Sequence, residues 1–228
     1  MIIILASMKP ELEFIEKYNH TGTDKLGVFT YERYSHNGID FACSACGTGK
    51  VTAAMCAQVG IEKYKPTLVL NTGTSGKISK SVKSKDIIVA TDTVQYDYDL
   101  TPFGYKKGEL AELKTVEMLC DEKFVNIAKQ VAKDYTNVHF GRVCTADMVV
   151  VDEEKIEEIS TEFGGLCCEM EAGAIAQCAT MYNVPFAFIK GISDGDEEVE
   201  NREEEFRSNI EATAKSNAEL IFKILEQY

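Results

Sequence analysis

The sequence predicts an α/β protein built as one domain over residues 1–228. Three observations carry that prediction. Short, continuously apolar runs alternate with stretches of helical periodicity, the pattern of strands buried on both faces and joined by helices. The length suffices for one sizeable core. Two glycine turns, "CGTGK" at 46–50 and "NTGTSG" at 71–76, follow strand-like runs, where open α/β sheets bind ligands.

The elements follow in order. "MIIILA" reads as a buried strand, and "PELEFIEKY" as a helix with Pro10 in the first turn, where the missing N–H costs nothing. "GVFTYERYSHNGIDFACSACG" reads as a hairpin turning at His36-Asn37-Gly38. "KVTAAMCAQVGIEKY" is a helix, "PTLVLNTG" a buried strand ending in glycine, and "DIIVATDTVQYD" another strand. The stretch from Tyr96 to Leu119 is long and mixed, as expected of a functional flap. "CDEKFVNIAKQVAKDY" is an amphipathic helix, "HFGRVCTAD" a strand, and "EEKIEEIS" a short acidic helix. "GGLCCEM" is a strand, "AGAIAQCATMYN" a helix rich in small residues, and "PFAFIKGISD" a buried strand. The closing segment, "EEEFRSNIEATAKSNAELIFKILEQY", carries apolar residues at helical spacing. This alternation implies a mainly parallel sheet covered by helices.

The net charge of −13 would repel a phosphate backbone or an anionic membrane, so neither is an expected partner. The opening "MIIILAS" is too short to span a bilayer, and no basic segment precedes it. With 8 cysteines and no signal peptide, reduced thiols in a cytoplasmic protein are expected. Cys43 and Cys46 form a CxxC, but His20, His36 and His139 supply no second set of ligands, so neither metal nor cofactor is expected.

Neither glycine turn is a nucleotide fingerprint. In "CGTGK", Ser44 stands where a P-loop needs its first glycine, and Val51 follows Lys50 where Ser or Thr belongs. Thr52 occupies the place of the third glycine of a dinucleotide motif. Three carboxylates remain: Glu11 after the first strand, Glu171 after "GGLCCEM", and Asp194 at the end of "PFAFIKGIS". Each alone reads as a helix N-cap or first-turn acid worth about 1 kcal/mol. Together, at one edge of one sheet, they make a site for acid–base chemistry on a polar substrate.

Several motifs, in order and spread over essentially the whole chain, resemble those of the purine nucleoside phosphorylase and nucleosidase superfamily. They are most similar to the bacterial 5′-methylthioadenosine/S-adenosylhomocysteine nucleosidases. "ASMKPELEF" resembles the opening Ala-Met-x-x-Glu, and "CGTGKVTAA" the Gly-x-Gly-Lys segment. "NTGTSG" resembles an Asn-Thr-Gly-Ser-Ala-Gly turn, and "DLTPFGY" an aromatic flap. "EMEAGAIA" is similar to the Glu-Met-Glu-Ala signature, and "KGISD" to the closing Ser-Asp.

The resemblance implies a three-layer α/β/α fold around a central mixed sheet, and hydrolysis of the bond between adenine and ribose. Glu11 is then the base that activates water, and Asp194, oriented by Ser193, the acid that protonates the purine at N7. Burial and purine contact would raise the Asp194 carboxyl enough to carry that proton. Glu169 and Glu171 share a side at the strand end. Glu171 binds the ribose hydroxyls as a charged acceptor, and Met170 packs on the sugar. Phe103 and Tyr105, with Leu100, line the 5′ pocket from a flap that in the family crosses a dimer interface, so a homodimer is implied. Met8, Thr74, Val150 and Phe206 complete the expected substrate contacts, Val150 through its backbone amide and carbonyl.

The chain departs from the family pattern at three places. Val149 replaces a phenylalanine that stacks on adenine, Thr48 a larger apolar residue, and Lys190 an arginine. Phosphorolysis is the alternative within the superfamily, and it needs fixed cationic donors for phosphate. Arg33, Arg142, Arg202 and Arg207 are the only arginines, and none lies in a glycine turn or the first motif. A non-catalytic nucleoside-binding protein is the third reading, and it should have lost one of the three acids.

Overall fold

The computed structural model describes residues 1–15, 17–194 and 202–228. Among the described residues, ten strands and five α-helices follow the expected alternation. The strands are β1 (Ile2–Ala6), β2 (Asn19–Leu26), β3 (Phe29–His36), β4 (Ile39–Ala45), β5 (Leu68–Lys77), β6 (Ile87–Gln95), β7 (Met118–Leu119), β8 (Val138–Thr145), β9 (Gly165–Glu169) and β10 (Phe186–Asp194). The helices are α1 (Lys50–Tyr64), α2 (Glu122–Val131), α3 (Glu153–Phe163), α4 (Ala172–Met181) and α5 (Arg202–Leu225).

The sheet is mixed rather than mainly parallel. β1 runs parallel to β4 and β5, β5 to β10, and β8 to β6 and β9. The β2–β3, β3–β4, β5–β9, β6–β7 and β6–β10 pairs are antiparallel. Because β10 pairs with both β5 and β6, the strands β5, β10, β6, β8 and β9 close into a ring, and β1, β4, β3 and β2 extend from it. Closure leaves the central strands no free edge.

Helices cover both faces. Ile3 and Leu5 of β1 pack with Ala53, Ala57 and Ile61 of α1 and with Ile175 and Ala179 of α4. Ile2 and Ile4 face the other way, toward Phe124 and Ala128 of α2 and Leu220, Ile221 and Ile224 of α5. A strand buried on both sides has no polar alternation to show, which is why "MIIILA" is apolar throughout.

Two further readings differ from the structure. "PELEFIEKY" forms only a 3-10 turn over Lys9–Leu12, not a helix. Glu11 and Leu12 in that turn, and Ile15 after it, are buried. β2 was not expected at all. Its sequence, NHTGTDKL, is largely exposed, and it gains strand structure from pairing with β3 rather than from apolar periodicity. The hairpin turn falls where expected, with Asn37 and Gly38 at φ +49° and +80°.

Candidate active site

Four strands deliver the site. β1, β5 and β10 run parallel, so their carboxyl ends share one edge, and antiparallel β9 joins them by pairing Cys168 with Gly76. The 3-10 turn after β1 presents Glu11. A bulge between Ile192 and Asp194 at the end of β10 sets Asp194 opposite Gly76.

Glu11 is buried, and four donors fix its carboxylate. Ser7 Oγ and the Met8 N–H donate to Oε2 at 2.9 and 3.0 Å, and the Thr74 N–H and Oγ1 donate to Oε1 at 2.8 Å each. Thr74 therefore serves the carboxylate directly. Met8 contributes its backbone, and its side chain is half-buried.

Asp194 accepts a hydrogen bond from Ser193 Oγ at 2.9 Å, the pairing expected of an oriented acid. Ser193 is itself buried, with Oγ also 3.3 Å from the Ser75 carbonyl. A methyl group placed on Gly76 would lie 3.6 Å from Asp194 Oδ2, so the glycine turn borders this acid.

The two glutamates of "EMEAGAIA" part company. Glu169 Oε2 accepts from the Glu171 and Ala172 N–H groups at 3.0 and 2.8 Å, which caps α4. It also meets Lys190 Nζ at 2.8 Å, while Oε1 takes the Thr145 hydroxyl. Four protein donors thus fix Glu169 in place. Glu171 stands at the N-cap position of α4, yet its side chain caps nothing there. It reaches instead to the Gly49 N–H at 2.8 Å, tying the second motif to the fifth.

Burial and the Glu169 charge push the Glu171 carboxyl up to about 7, against the opposing pull of Lys190 and Gly49. The carboxyl expected to accept from ribose hydroxyls thus sits in surroundings that work against its charge. Lys190 is 1% exposed. Burial works against its ammonium, but Glu169 and then Glu171 outweigh it and hold Lys190 above its ordinary range. Sequence reasoning noted Lys190 only as a departure. A lone lysine inside "FAFIKGIS" was the available signal, since a buried lysine needs an anion beside it.

The remaining expected residues spread out. Met170 is half-buried beside Glu171. Val149 is 78% exposed, in the loop after β8, whereas Val150 is buried with Val94, Tyr96 and Phe163. Asp147 binds that loop to the start of α1: its Oδ1 accepts the Lys50 N–H at 2.8 Å, and its own N–H donates to Asp97 at 3.1 Å. Phe103 is 80% exposed and Tyr105 36%, so the flap carries them outward rather than over the carboxylates of their own chain. Phe206 is half-buried on α5.

The cysteines are thiols; none forms a disulfide, and Cys43 and Cys46 are both buried. No cluster of metal-ligating side chains occurs among the described residues. No helix among them is long and apolar enough to cross a membrane.

A family model described as Phosphorylase superfamily matches residues 1–227. The chain belongs to this superfamily. The 5′-methylthioadenosine/S-adenosylhomocysteine nucleosidase of Maridesulfovibrio salexigens is 31% identical over 98% of both chains. The enzyme of the same name from Haemophilus influenzae is 33% identical, also over 98% of each. Among solved structures, S-adenosylhomocysteine nucleosidase from Streptococcus pyogenes, in complex with 5-methylthiotubericidin, superposes with a TM-score of 0.92. It is 31% identical and covers 99% of this chain and 96% of its own. The superfamily's three-layer α/β/α fold with a mixed central sheet is the one described above.

Proposed function

We propose that this chain hydrolyses the N-glycosidic bond of 5′-methylthioadenosine, S-adenosylhomocysteine or a related 5′-modified adenosine, releasing adenine and the 5′-substituted ribose. The observation that carries the proposal is the gathering of Glu11, Glu171 and Ser193–Asp194 at one sheet edge, with Glu11 and Glu171 held by the two glycine turns. The named relatives support the substrate class.

In this reading, Asp194 gives its proton to N7 of the purine, and the pair of electrons of the C1′–N9 bond leaves with the base. Positive charge develops on C1′ and the ring oxygen. Water attacks C1′ as Glu11 takes its proton, and the hydroxyl stays on the sugar. Ser7 and Thr74 hydroxyls can rotate off Glu11 to make room for that proton. Glu171 accepts from the ribose hydroxyls, and such donors favour its ionised form. An acid and a base each contribute about 10²–10⁴-fold.

Water rather than phosphate is the nucleophile in this proposal, and two of the four arginines are engaged elsewhere. Arg142 binds Asp92, Glu117 and the Phe163 carbonyl, and Arg33 meets Asp24 at 2.9 Å. The side chain of Arg202 lies outside the described residues, and Arg207 is exposed on α5. We further propose a single domain acting as a cytoplasmic homodimer. The exposed Val51 and Met55 on α1, with Met181 and Tyr182 at the end of α4, support an apolar face for a second copy.

The test is release of adenine from 5′-methylthioadenosine by the wild type and by Glu11→Gln and Asp194→Asn. Both variants should keep a native circular dichroism spectrum and lose turnover. A folded variant with near wild-type kcat would remove that residue from its role.

A further inference from the structure

α5 buries polar side chains as well as apolar ones. Asn209, Thr213 and Asn217 recur at four-residue spacing, so they lie along one flank of the helix, and all three are buried. The two asparagines end on the backbone of β5, whose Thr74 binds the base, and of β10, which carries the acid.

Asn217 is 1% exposed, and its Nδ2 donates to the Gly73 carbonyl at 3.0 Å. A carbonyl takes only a donor, which fixes the amide's orientation. The Gly73 carbonyl and the Thr74 N–H belong to one planar peptide unit and point in opposite directions. Asn217 therefore holds one end of the unit whose other end donates to Glu11 Oε1 at 2.8 Å. Asn209 repeats the device on β10. Its Nδ2 donates to the Ser193 carbonyl at 3.0 Å, and also to Ser84 Oγ at 3.1 Å. The Ser193 carbonyl belongs to the peptide unit that leads into Asp194.

We infer that Asn217 and Asn209 are positioning residues, through which α5 sets the geometry of the base and the acid from behind the sheet. Neither touches the reacting atoms. Holding a reacting group within tenths of an ångström is worth a large factor in rate, and a misplacement near 1 Å costs on the order of 10²-fold. Thr213 lies between the two asparagines, and its hydroxyl has no hydrogen-bond partner, so it reaches neither peptide. It is the internal control.

The inference rests on Glu11 and Asp194 as base and acid, and the experiment separates the two failures. Steady-state kinetics on 5′-methylthioadenosine and melting temperatures are measured for wild type, Glu11→Gln, Asn217→Leu, Asn209→Leu and Thr213→Val. Asn217→Ala removes the donor without added bulk, should leucine prevent folding. The expected result is a kcat lowered about 10–100-fold in each asparagine variant, with KM within about threefold of wild type. Thr213→Val should keep the wild-type kcat.

If Glu11→Gln itself keeps kcat, the assignment of the base falls, and the inference with it. If Glu11→Gln loses turnover while folded Asn217 variants keep it, the inference alone is wrong. Equal losses of kcat in Thr213→Val would assign the effect to disturbed packing of α5 and overturn it. Loss of fold in both Asn217 variants would overturn it too, by making Asn217 a stability residue.

Discussion

Gly73 lies against the carboxylate of Glu11: a methyl group placed on its Cα would stand 2.7 Å from Oε1 and 2.9 Å from Cδ. Its φ of +140° also falls where a side chain is strained. Two independent demands thus meet at one residue of the "NTGTSG" turn. Gly73→Ala should fold, and should lower kcat by about 10²-fold by displacing the base. Steady-state kinetics with a melting curve test this, and an unchanged kcat would show that Glu11 can yield without consequence.

Glu171 makes stability depend on pH. Its carboxyl rises from 4.5 when exposed to about 7 in the fold. Between those values the folded chain holds a proton that the unfolded chain has lost. The group therefore costs nothing below the lower value and progressively destabilises as pH rises through the upper one. Glu171→Gln removes the cost, on the order of 1–3 kcal/mol above neutrality. The melting temperature of the variant relative to wild type should increase from pH 5 to pH 8. A constant difference would mean that Glu171 is ionised throughout.

Lys190 and Glu169 form a buried pair at 2.8 Å. Removing the cation alone leaves a buried anion beside Glu171, which costs about 3–5 kcal/mol. Lys190→Met should lower the melting temperature by roughly 10 °C. A change of a degree or two would show that water reaches Glu169 and compensates it.

Val149 is exposed rather than a core residue on a strand, so a phenylalanine there has space. Val149→Phe should leave the melting temperature unchanged. A ring that reaches adenine would lower KM by up to about tenfold without altering kcat, since an aromatic pair adds about 0.5–1.5 kcal/mol. An unchanged KM would show that this loop does not meet the base.

Legibility of the fold followed burial. β1, β5 and β10 are covered on both faces, so their apolar runs announced them, and helices such as α1 were bounded by glycine and proline. β2 was invisible because pairing, not composition, makes it a strand. The closed ring was invisible because it depends on β10 meeting both β5 and β6, a long-range choice that no local pattern encodes. At the candidate site, motif order singled out Glu11, Glu171 and Ser193–Asp194. The division of labour between Glu169 and Glu171 was not legible, because it turns on which carboxylate finds Lys190 and which finds Gly49. The buried asparagines of α5 were hidden in an amphipathic helix, where Asn reads as a solvent-facing residue.

The central claim is that water, not phosphate, accepts the sugar. The most direct measurement is the identity of the sugar released from 5′-methylthioadenosine, in phosphate buffer and in a phosphate-free buffer of equal ionic strength. The expected result is free 5-methylthioribose with adenine, formed at the same rate in both. A sugar 1-phosphate, formed only when phosphate is present, would contradict the account.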